Sequence, residues 1–414
     1  MEHISKWLPS QKTFLVLVTA HLLSLPLPYA FGTTTLIVLL TASVGSVFSH
    51  KIQFSKRVFI AFLLYGLMIA SLLWTIHFKQ SLRGLERQLG FLLVPLAFVC
   101  MPRLTKDTIF KILLYFARGM AVFALFFLGN AVRMYFQAGT TEVFFYHELV
   151  AIFELNAIYV SVWVALCLLF LFFKAKKNAL SSSTLLISGG FLLMLASKAI
   201  ILVTTLVLIL GAFRHFSKKK ILIGGLSALL LAILVCSTNN PVRERFWVEY
   251  ESSNLNEVWN RECFTRTYYW TGTGIRLFQI RIFSEMLEQD PIFWKGYGIN
   301  TSQDKIVEKH SAYNLYKGFY HFNFHNQYIQ AFAELGVFGM LLIVALLGVS
   351  LKDYLETKDL LFLCFFFVMA TIFISESYLW RQRGIFHFFT LFGLLMHLKA
   401  TYHSKPHLPK DHQQ

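Results

Sequence analysis

The amino-acid sequence is divided into long apolar blocks, and short clusters of Lys and Arg separate them. The blocks run to about 18 residues or more, which is long enough to cross a hydrocarbon core of about 30 Å. Each crossing block is expected to be helical, because lipid offers no hydrogen-bond partner to a backbone N–H or C=O. Of the 414 residues, 56% are hydrophobic and 14% are charged, whereas soluble chains carry about a quarter charged residues. These features predict an all-α integral membrane protein.

About twelve apolar blocks are predicted to span the membrane. They lie near residues 13–30, 32–48, 58–76, 88–101, 112–131, 149–173, 183–196, 199–213, 221–237, 327–350, 359–375 and 384–399. The run 183–213 is too long for one span and is interrupted only at Ser197 and Lys198, so a hairpin is expected rather than one tilted helix. Lys6 and Lys12 precede the first block and no small-residue cleavage site follows it, so we expect an uncleaved first helix.

The basic residues indicate an orientation rather than a nucleic-acid partner. The formal net charge is +16, but the Lys and Arg residues form short clusters between apolar blocks and no continuous basic face. The clusters fall in the even-numbered short loops and in the tail. Because positive loops stay in the cytoplasm, both termini are predicted to be cytoplasmic. Residues 1–237 then hold nine spans, 238–326 form one long outer loop, and 327–414 hold three spans and a cytoplasmic tail.

The outer loop 238–326 is predicted to be folded. It is rich in Trp, Tyr and Phe, in which disordered segments are poor. The stretch from Ile275 to Gln289 has the pattern of an amphipathic helix, with Phe278, Ile282 and Met286 on one face. Asp290-Pro291 is expected to end this helix, and Gly296-Tyr297-Gly298 to form a turn. The loop is therefore predicted to be a partly helical cap on the outer membrane surface.

A spaced motif follows the loop: His325-Asn326, nine residues, Gly336, two residues, Gly339. This motif at the start of the span after a long outer loop resembles the O-antigen ligase and polymerase superfamily, and residues 271–298 resemble the same family. The resemblance implies a GT-C-like bundle of membrane helices in the bacterial inner membrane, with a periplasmic loop. It also implies transfer of a glycan from an undecaprenyl-diphosphate-linked donor to a lipid-anchored or glycan acceptor, with membrane lipids as surroundings and with neither metal nor cofactor.

His325 matches the family motif and is predicted to be the general base that activates the acceptor hydroxyl, since a histidine ordinarily titrates near neutrality. The alternative is an interfacial histidine beside a helix that Asn326 caps; the motif also makes Asn326 a candidate substrate contact. His321 stands four residues earlier, which would allow a metal pair on a helical face. No third ligand is evident, so metal is not expected.

Several cations are predicted to bind the diphosphate, because guanidinium pairs with phosphate oxygens. Arg276 is the best candidate in the loop; its alternative is snorkelling toward lipid headgroups. Arg281 is a weaker candidate, since Glu285 at i+4 explains it as an ion pair. Lys198 stands where the family commonly has an Arg. Arg83 and Arg87, in the loop before the fourth span, are predicted to add to the charge of Lys198 at the diphosphate. The alternative is that they belong to a solvated outer loop and bind no substrate.

Glu334 is an ionisable residue inside a predicted span, and such residues are functional candidates. We expect it either to orient the catalytic base or to pair within the bundle. Gly336 and Gly339 match the family motif, and small-residue pairs of this kind more often serve close helix packing than chemistry.

Three functions remain open. The sequence favours an O-antigen ligase, with lipid A-core or a similar molecule as acceptor. The alternative is an O-antigen or exopolysaccharide polymerase, which extends carrier-linked repeat units. A secondary transporter is the third, but such proteins usually contain a repeated half, and the long outer loop has no counterpart in the first half.

Overall fold

The computed structural model of the protein describes residues 10–403 except 51, 53, 54, 216, 220–224, 226–236, 239 and 240. These residues form α-helices and short 3₁₀ turns and no strand. The helices are α1 (Gln11–Leu23), α2 (Tyr29–Ser46), α3 (Lys56–Ala70), α4 (Phe78–Arg87), α5 (Gly90–Cys100), α6 (Lys106–Ala138), α7 (Tyr146–Leu149), α8 (Ala157–Phe173), α9 (Ala179–Met194), α10 (Lys198–His215), α11 (Pro241–Ser252), α12 (Leu255–Asn260), α13 (Gly272–Gln289), α14 (Ser302–Ala312), α15 (Gln327–Thr357), α16 (Leu360–Ser375) and α17 (Gln382–His403).

Helices occupy eleven of the predicted membrane blocks. The block near 221–237 lies, apart from residues 225 and 237, outside the described residues. Five helices of the described part are long and apolar enough to cross a membrane, and four more are apolar but shorter. The long ones are Tyr29–Ser46, Lys56–Leu73, Lys106–Ala138, Gln327–Thr357 and Gln382–Tyr402. The structure is thus that of an all-helical membrane protein, and the count of twelve spans stays a prediction.

Two details of the predicted blocks are decided by local capping and backbone geometry. The run 183–213 is two helices, as expected, because α9 ends at Met194 and α10 begins at Lys198, with Ala196 at a φ of +47° between them. The block predicted at 149–173 becomes regular helix only at α8. The side chain of Asn156 accepts a hydrogen bond from the backbone N–H of Ile158 (2.8 Å), which starts α8 there.

The centre of the helix bundle is α8, which packs against α6, α9, α10 and α16. Its side chains are buried on nearly every side, as expected for a helix surrounded by other helices. The last helix, α17, is also largely buried and packs against α5. The apolar core of this bundle is continuous from α1 to α17.

Residues 241–326, here called the cap, have a hydrophobic core of their own. Its side chains come mainly from α13, α14 and the loops around them. The predicted amphipathic helix is confirmed: α13 buries Phe278, Ile282 and Met286. Ala333, in the first turns of α15, belongs to this second core as well, so the start of α15 is packed as part of the cap.

Helix α15 is broken at Gly336, whose backbone (φ +68°, ψ −168°) is accessible essentially to glycine alone. The break frees backbone groups, and the turn after α13 satisfies them. Tyr297 N–H donates to the Ala333 carbonyl (2.9 Å), Gly298 N–H to that of Glu334 (2.9 Å), and Val337 N–H to that of Phe293 (2.8 Å). Gly336 therefore serves a backbone-to-backbone contact with the cap. The structure therefore corrects the expectation from the sequence that Gly336 serves close packing between membrane helices.

The segment between α3 and α4 is hydrogen-bonded to the same part of the cap, the turn after α13. Ile76 N–H donates to the Tyr297 carbonyl (3.2 Å), and the indole of Trp74 donates to the Lys295 carbonyl (2.7 Å). Ser81, in α4, donates through its hydroxyl to the Ile299 carbonyl (2.7 Å). These bonds place α4 beside the cap and close to the beginning of α15.

Candidate functional site

His325 lies in the loop that leads into α15 and has a left-handed backbone, with φ +47°. This conformation costs about 1–3 kcal/mol in a residue other than glycine. The Asn323 side chain stabilises it by accepting from the His325 backbone N–H (2.9 Å). Asn326 caps α15: its side-chain oxygen accepts from Tyr328 N–H and Ile329 N–H, both at 3.0 Å. The structure thus gives Asn326 a capping role, and its predicted substrate contact stays a prediction.

Glu376, just after α16, joins His325 to Arg276. One carboxylate oxygen lies 3.2 Å from Nδ1 of His325, and the other accepts from the Arg276 guanidinium (2.7 Å). The Glu376 side chain is only 6% exposed. A carboxylate so deeply buried requires charge or hydrogen-bond partners, and this one has both. The three residues form a continuous contact, here called the relay.

The relay fixes which nitrogen of His325 can accept a proton. Burial raises the pKa of Glu376, but hydrogen bonding with His325 and the charges of His325 and Arg276 outweigh it and lower the pKa below its ordinary value. Glu376 is therefore an acceptor at neutral pH, and Nδ1 of His325 donates to it. In a neutral imidazole this leaves the lone pair on Nε2. That atom is buried and has no hydrogen-bond partner among the described residues, so its lone pair is unused and a substrate hydroxyl would have to enter the site to reach it.

Arg276 is held by three hydrogen bonds. Besides Glu376, its guanidinium donates to the carbonyls of Ser375 (2.7 Å) and Gly272 (2.9 Å). A guanidinium has five N–H groups, so two remain for a ligand. Its side chain is 28% exposed. Arg276 thus combines a fixed orientation with spare donors beside His325.

Glu334 does not contact His325. It is buried, and its carboxylate accepts from the hydroxyl of Ser302 (3.0 Å) and from the amide of Gln330 (2.9 Å). The amide oxygen of Gln330 in turn lies 3.4 Å from Phe324 N and 3.4 Å from the hydroxyl of Ser377. Glu334 therefore orients Gln330, which connects the two segments that carry His325 and Glu376. Direct orientation of the imidazole comes from Glu376 instead.

Lys198 forms an ion pair with Glu249 of α11 (2.6 Å). Both border a cavity of about 410 Å³ that four glutamates and several aromatic rings line, here called the acidic cavity. Glu249 also accepts from the Thr273 backbone N–H at the start of α13, one residue from the Gly272 carbonyl that Arg276 contacts. The contacts from Lys198 thus lead through Glu249 to the relay, while Lys198 itself does not touch Arg276 or His325.

The Lys198–Glu249 pair predicts a pH-dependent stability. Burial raises the pKa of Glu249, but hydrogen bonds from Lys198 and Thr273 outweigh it and lower the pKa to about 2. A lowered folded-state pKa adds stability that is present above the ordinary value of 4.5 and is lost as the pH falls toward 2. Glu249→Gln should lower the thermal unfolding temperature at pH 7, and the difference from the unmodified protein should shrink between pH 4.5 and pH 2.

The control for this prediction is Glu308→Gln, which removes a carboxylate that is 68% exposed. Unfolding is followed for the whole chain in detergent. A Glu249→Gln difference that stays constant from pH 7 to pH 2 would contradict the role assigned to the ion pair.

Arg281 is a structural residue of the cap. Its guanidinium donates to the carbonyls of Val258 (3.0 Å) and Arg261 (2.7 Å), to the hydroxyl of Tyr313 (3.0 Å), and to Glu285 (3.3 Å). These bonds join α12, α13 and the end of α14. The ion-pair interpretation of Arg281 agrees with this geometry, whereas the predicted contact with substrate has no support in it.

Arg83 and Arg87 lie in α4 and border a second cavity, of about 640 Å³. His77, Lys79 and His321 also line it, and we call it the basic cavity. His321 belongs to a turn and irregular chain rather than to a helix, so the helical pairing of His321 with His325 on which a metal pair was considered does not exist. His321 faces the basic cavity, while His325 contacts Glu376.

Sequence reasoning missed Glu376 and Gln330. In the sequence, Glu376 stands near Arg381 and Arg383 in the last loop, a pattern typical of a structural cluster. It lies 51 residues from His325, so no local spacing relates the two. The only sequence feature that singles out Glu376 is its position as an acidic residue directly after an apolar helix. Such a residue is equally typical of an ordinary helix end, so this feature does not indicate a functional role. Gln330 lies in α15, one helical turn from Glu334, and is visible only as a polar residue in an apolar stretch.

Comparison with known families gives one match. The model of the O-antigen ligase family matches residues 183–344, about two fifths of the chain. The matched segment contains Lys198, Arg276, His325 and Glu334, and ends before Glu376. No curated protein matches the chain. Residues 183–344 of this chain are therefore similar to the O-antigen ligase family.

Proposed function

We propose that the chain is an O-antigen ligase-like glycosyltransferase. It transfers a glycan from undecaprenyl diphosphate to an acceptor hydroxyl, on lipid A-core or a similar molecule, at the periplasmic face of the bacterial inner membrane. The observation that carries this proposal is the relay: His325 bound through Nδ1 to the buried carboxylate of Glu376, with Arg276 on the other carboxylate oxygen and Nε2 of His325 unpaired.

The relay supplies what such a transfer requires from a protein. The acceptor oxygen forms a bond to the anomeric carbon while the bond from that carbon to the diphosphate oxygen breaks, and the diphosphate leaves with the electron pair. Nε2 of His325 takes the hydroxyl proton as the new bond forms. Glu376 stabilises the resulting imidazolium, and the spare N–H groups of Arg276 bind the charge that develops on the diphosphate. Lys198, which pairs with Glu249 and does not contact the relay, stays a predicted diphosphate contact.

The charge pairs at the far end of the bundle support the proposed topology. Basic residues from two loops and the tail, all predicted to be cytoplasmic, pair there with acids: Arg57 with Asp353 (2.6 Å), Lys174 with Asp359 (2.8 Å), and Lys399 with Glu356. Asp353 follows the break at Gly336 by 17 residues along α15, which corresponds to roughly 25 Å of helix. That length approaches the roughly 30 Å of a hydrocarbon core, so the relay would lie toward the opposite surface.

The second candidate is a polymerase whose acceptor is another carrier-linked repeat unit. The superfamily that the sequence resembles includes both reactions, and the relay would serve either, because both break the same bond. A transporter would place its substrate site near the middle of the membrane. The relay instead lies between the cap, the start of α15 and the end of α16, at the ends of helices.

The lipopolysaccharide of a host whose own copy carries His325→Ala tests the proposal. A lost ligase predicts bare lipid A-core on a gel, with long polymer retained on the carrier lipid. A lost polymerase predicts core with a single repeat. An unchanged ladder would refute the enzymatic role of His325, and substrate flux into proteoliposomes by the same variant would favour a transporter. Glu308→Gln, which changes an exposed side chain of the cap outside the relay and both cavities, is the control.

A further inference from the structure

Three cations border the basic cavity without a salt-bridge partner among the described residues. Lys79, Arg83 and Arg87 follow one another at four-residue intervals on α4 and all line this cavity. No carboxylate oxygen of a described residue lies within 4.0 Å of their side-chain nitrogens. Lys198 and Arg276, by contrast, each have such a partner. Like charges at this spacing destabilise a helix, so the stability of α4 does not explain the arrangement.

The cations stand on a helix that is fixed against the cap. Asn300 donates through its amide to the Gln80 carbonyl (3.0 Å), and a side chain at Gly84 would come within 2.5 Å of the Cβ of Asn300. The Arg87 guanidinium donates to the Asn300 amide oxygen (3.3 Å) and lies 5.9 Å from the ring centre of Trp380. The concave surface is therefore formed before any ligand arrives, which reduces the entropy lost on binding.

The basic cavity adjoins the relay but is distinct from the acidic cavity. His321 lines it, and the neighbouring Phe322 packs its ring edge to face with His325 at 5.1 Å. Trp380, four residues after Glu376, lines it as well. The two cavities have no lining residue in common. Four carboxylates line the acidic cavity, and three cations line the basic cavity. The two cavities are therefore suited to chemically different groups.

We propose that the basic cavity is a second anion site, which binds a phosphate-bearing group of the lipid-linked acceptor. The inference rests on the proposed glycosyltransferase. The donor diphosphate is bonded to the reacting carbon and has to lie beside His325, where Arg276 is fixed. The cations of α4 contact neither His325 nor Arg276. They are therefore available to bind the acceptor. A volume of about 640 Å³ is within the range of small-molecule sites and leaves room for a phosphate with an attached sugar.

Binding of inorganic pyrophosphate to the purified full chain in detergent tests the anion site. Lys79→Gln/Arg83→Gln should weaken binding about tenfold or more, because it removes two charged donors. Neither side chain makes a hydrogen bond that holds the fold together among the described contacts, and Arg87→Gln serves as a second variant. Arg266→Gln, which removes an exposed cation of the cap outside both cavities, should leave binding unchanged. Equal affinity in all these proteins would overturn the proposal.

The same binding measurement in His325→Ala separates this proposal from the proposed function, since pyrophosphate binding does not require turnover. A transfer assay then assigns the substrate. A raised KM for the acceptor, with the KM for the donor and kcat unchanged, supports the proposal. A raised donor KM assigns the cavity to the donor diphosphate and overturns it. Unchanged kinetics combined with weaker binding to vesicles that contain an anionic phospholipid would assign the cations to headgroups and also overturn it.

Discussion

Glu376→Gln should lower the rate of glycan transfer by a factor of about 100 to 10,000, the range attributed to a positioned acid–base residue. The amide keeps the shape of the side chain but removes the charge between Arg276 and His325. It can also present an N–H to Nδ1 of His325, which selects the tautomer with the proton on Nε2 and leaves no lone pair for the acceptor proton. Initial rates of the purified chain with donor and acceptor measure the loss.

Three comparisons give this prediction its specificity. If Glu376 acts through His325, Glu376→Gln combined with His325→Ala should be little slower than His325→Ala alone. Glu334→Gln should have a much smaller effect, because its carboxylate accepts from Ser302 and Gln330 and an amide oxygen accepts in the same way. A loss at Glu334 as large as the loss at Glu376 would assign the orienting role to Glu334. Glu308→Gln controls for the removal of an exposed carboxylate.

Gly336→Ala should destabilise the folded chain by about 3 kcal/mol or more, since the backbone conformation at this position is essentially restricted to glycine. A Cβ there would also lie 2.3 Å from the carbonyl carbon and oxygen of Trp294. The alanine can be accommodated only if the turn after α13 moves away from α15, which breaks the hydrogen bonds of Tyr297 and Gly298. Thermal unfolding in detergent and the amount of protein in the membrane measure the effect.

Gly348→Ala is the matched control on the same helix, because a Cβ at Gly348 has no neighbour within 4 Å. In the interior of a helix this exchange is expected to stabilise by about 0.5–1 kcal/mol. Gly296→Ala, on the other side of the contact, should resemble Gly336→Ala, since its Cβ would lie 2.3 Å from the Glu334 carbonyl carbon. Equal stability of the Gly336→Ala and Gly348→Ala proteins would contradict the proposed backbone contact.

Much of the fold was predictable from the sequence, because membrane helices follow from local composition. Eleven predicted blocks are helices, and α13 buries the face that its periodicity indicated. The break in α15 was not predictable. A glycine within an apolar helix is common and usually indicates packing, whereas the carbonyls that Gly336 exposes are bound by N–H groups about 40 residues earlier in the chain.

The sequence by itself determined the apolar blocks, the folded cap, and the candidates His325 and Arg276, because hydropathy, helical periodicity and a short motif are properties of neighbouring residues. Only the tertiary structure decided how these candidates are used. It brought Glu376 between His325 and Arg276, it gave Lys198 and Arg281 acidic partners, and it placed the cations of α4 around a separate cavity. The physical reason is that the state of a charged side chain depends on which opposite charges lie within a few ångströms, and those charges come from distant parts of the chain.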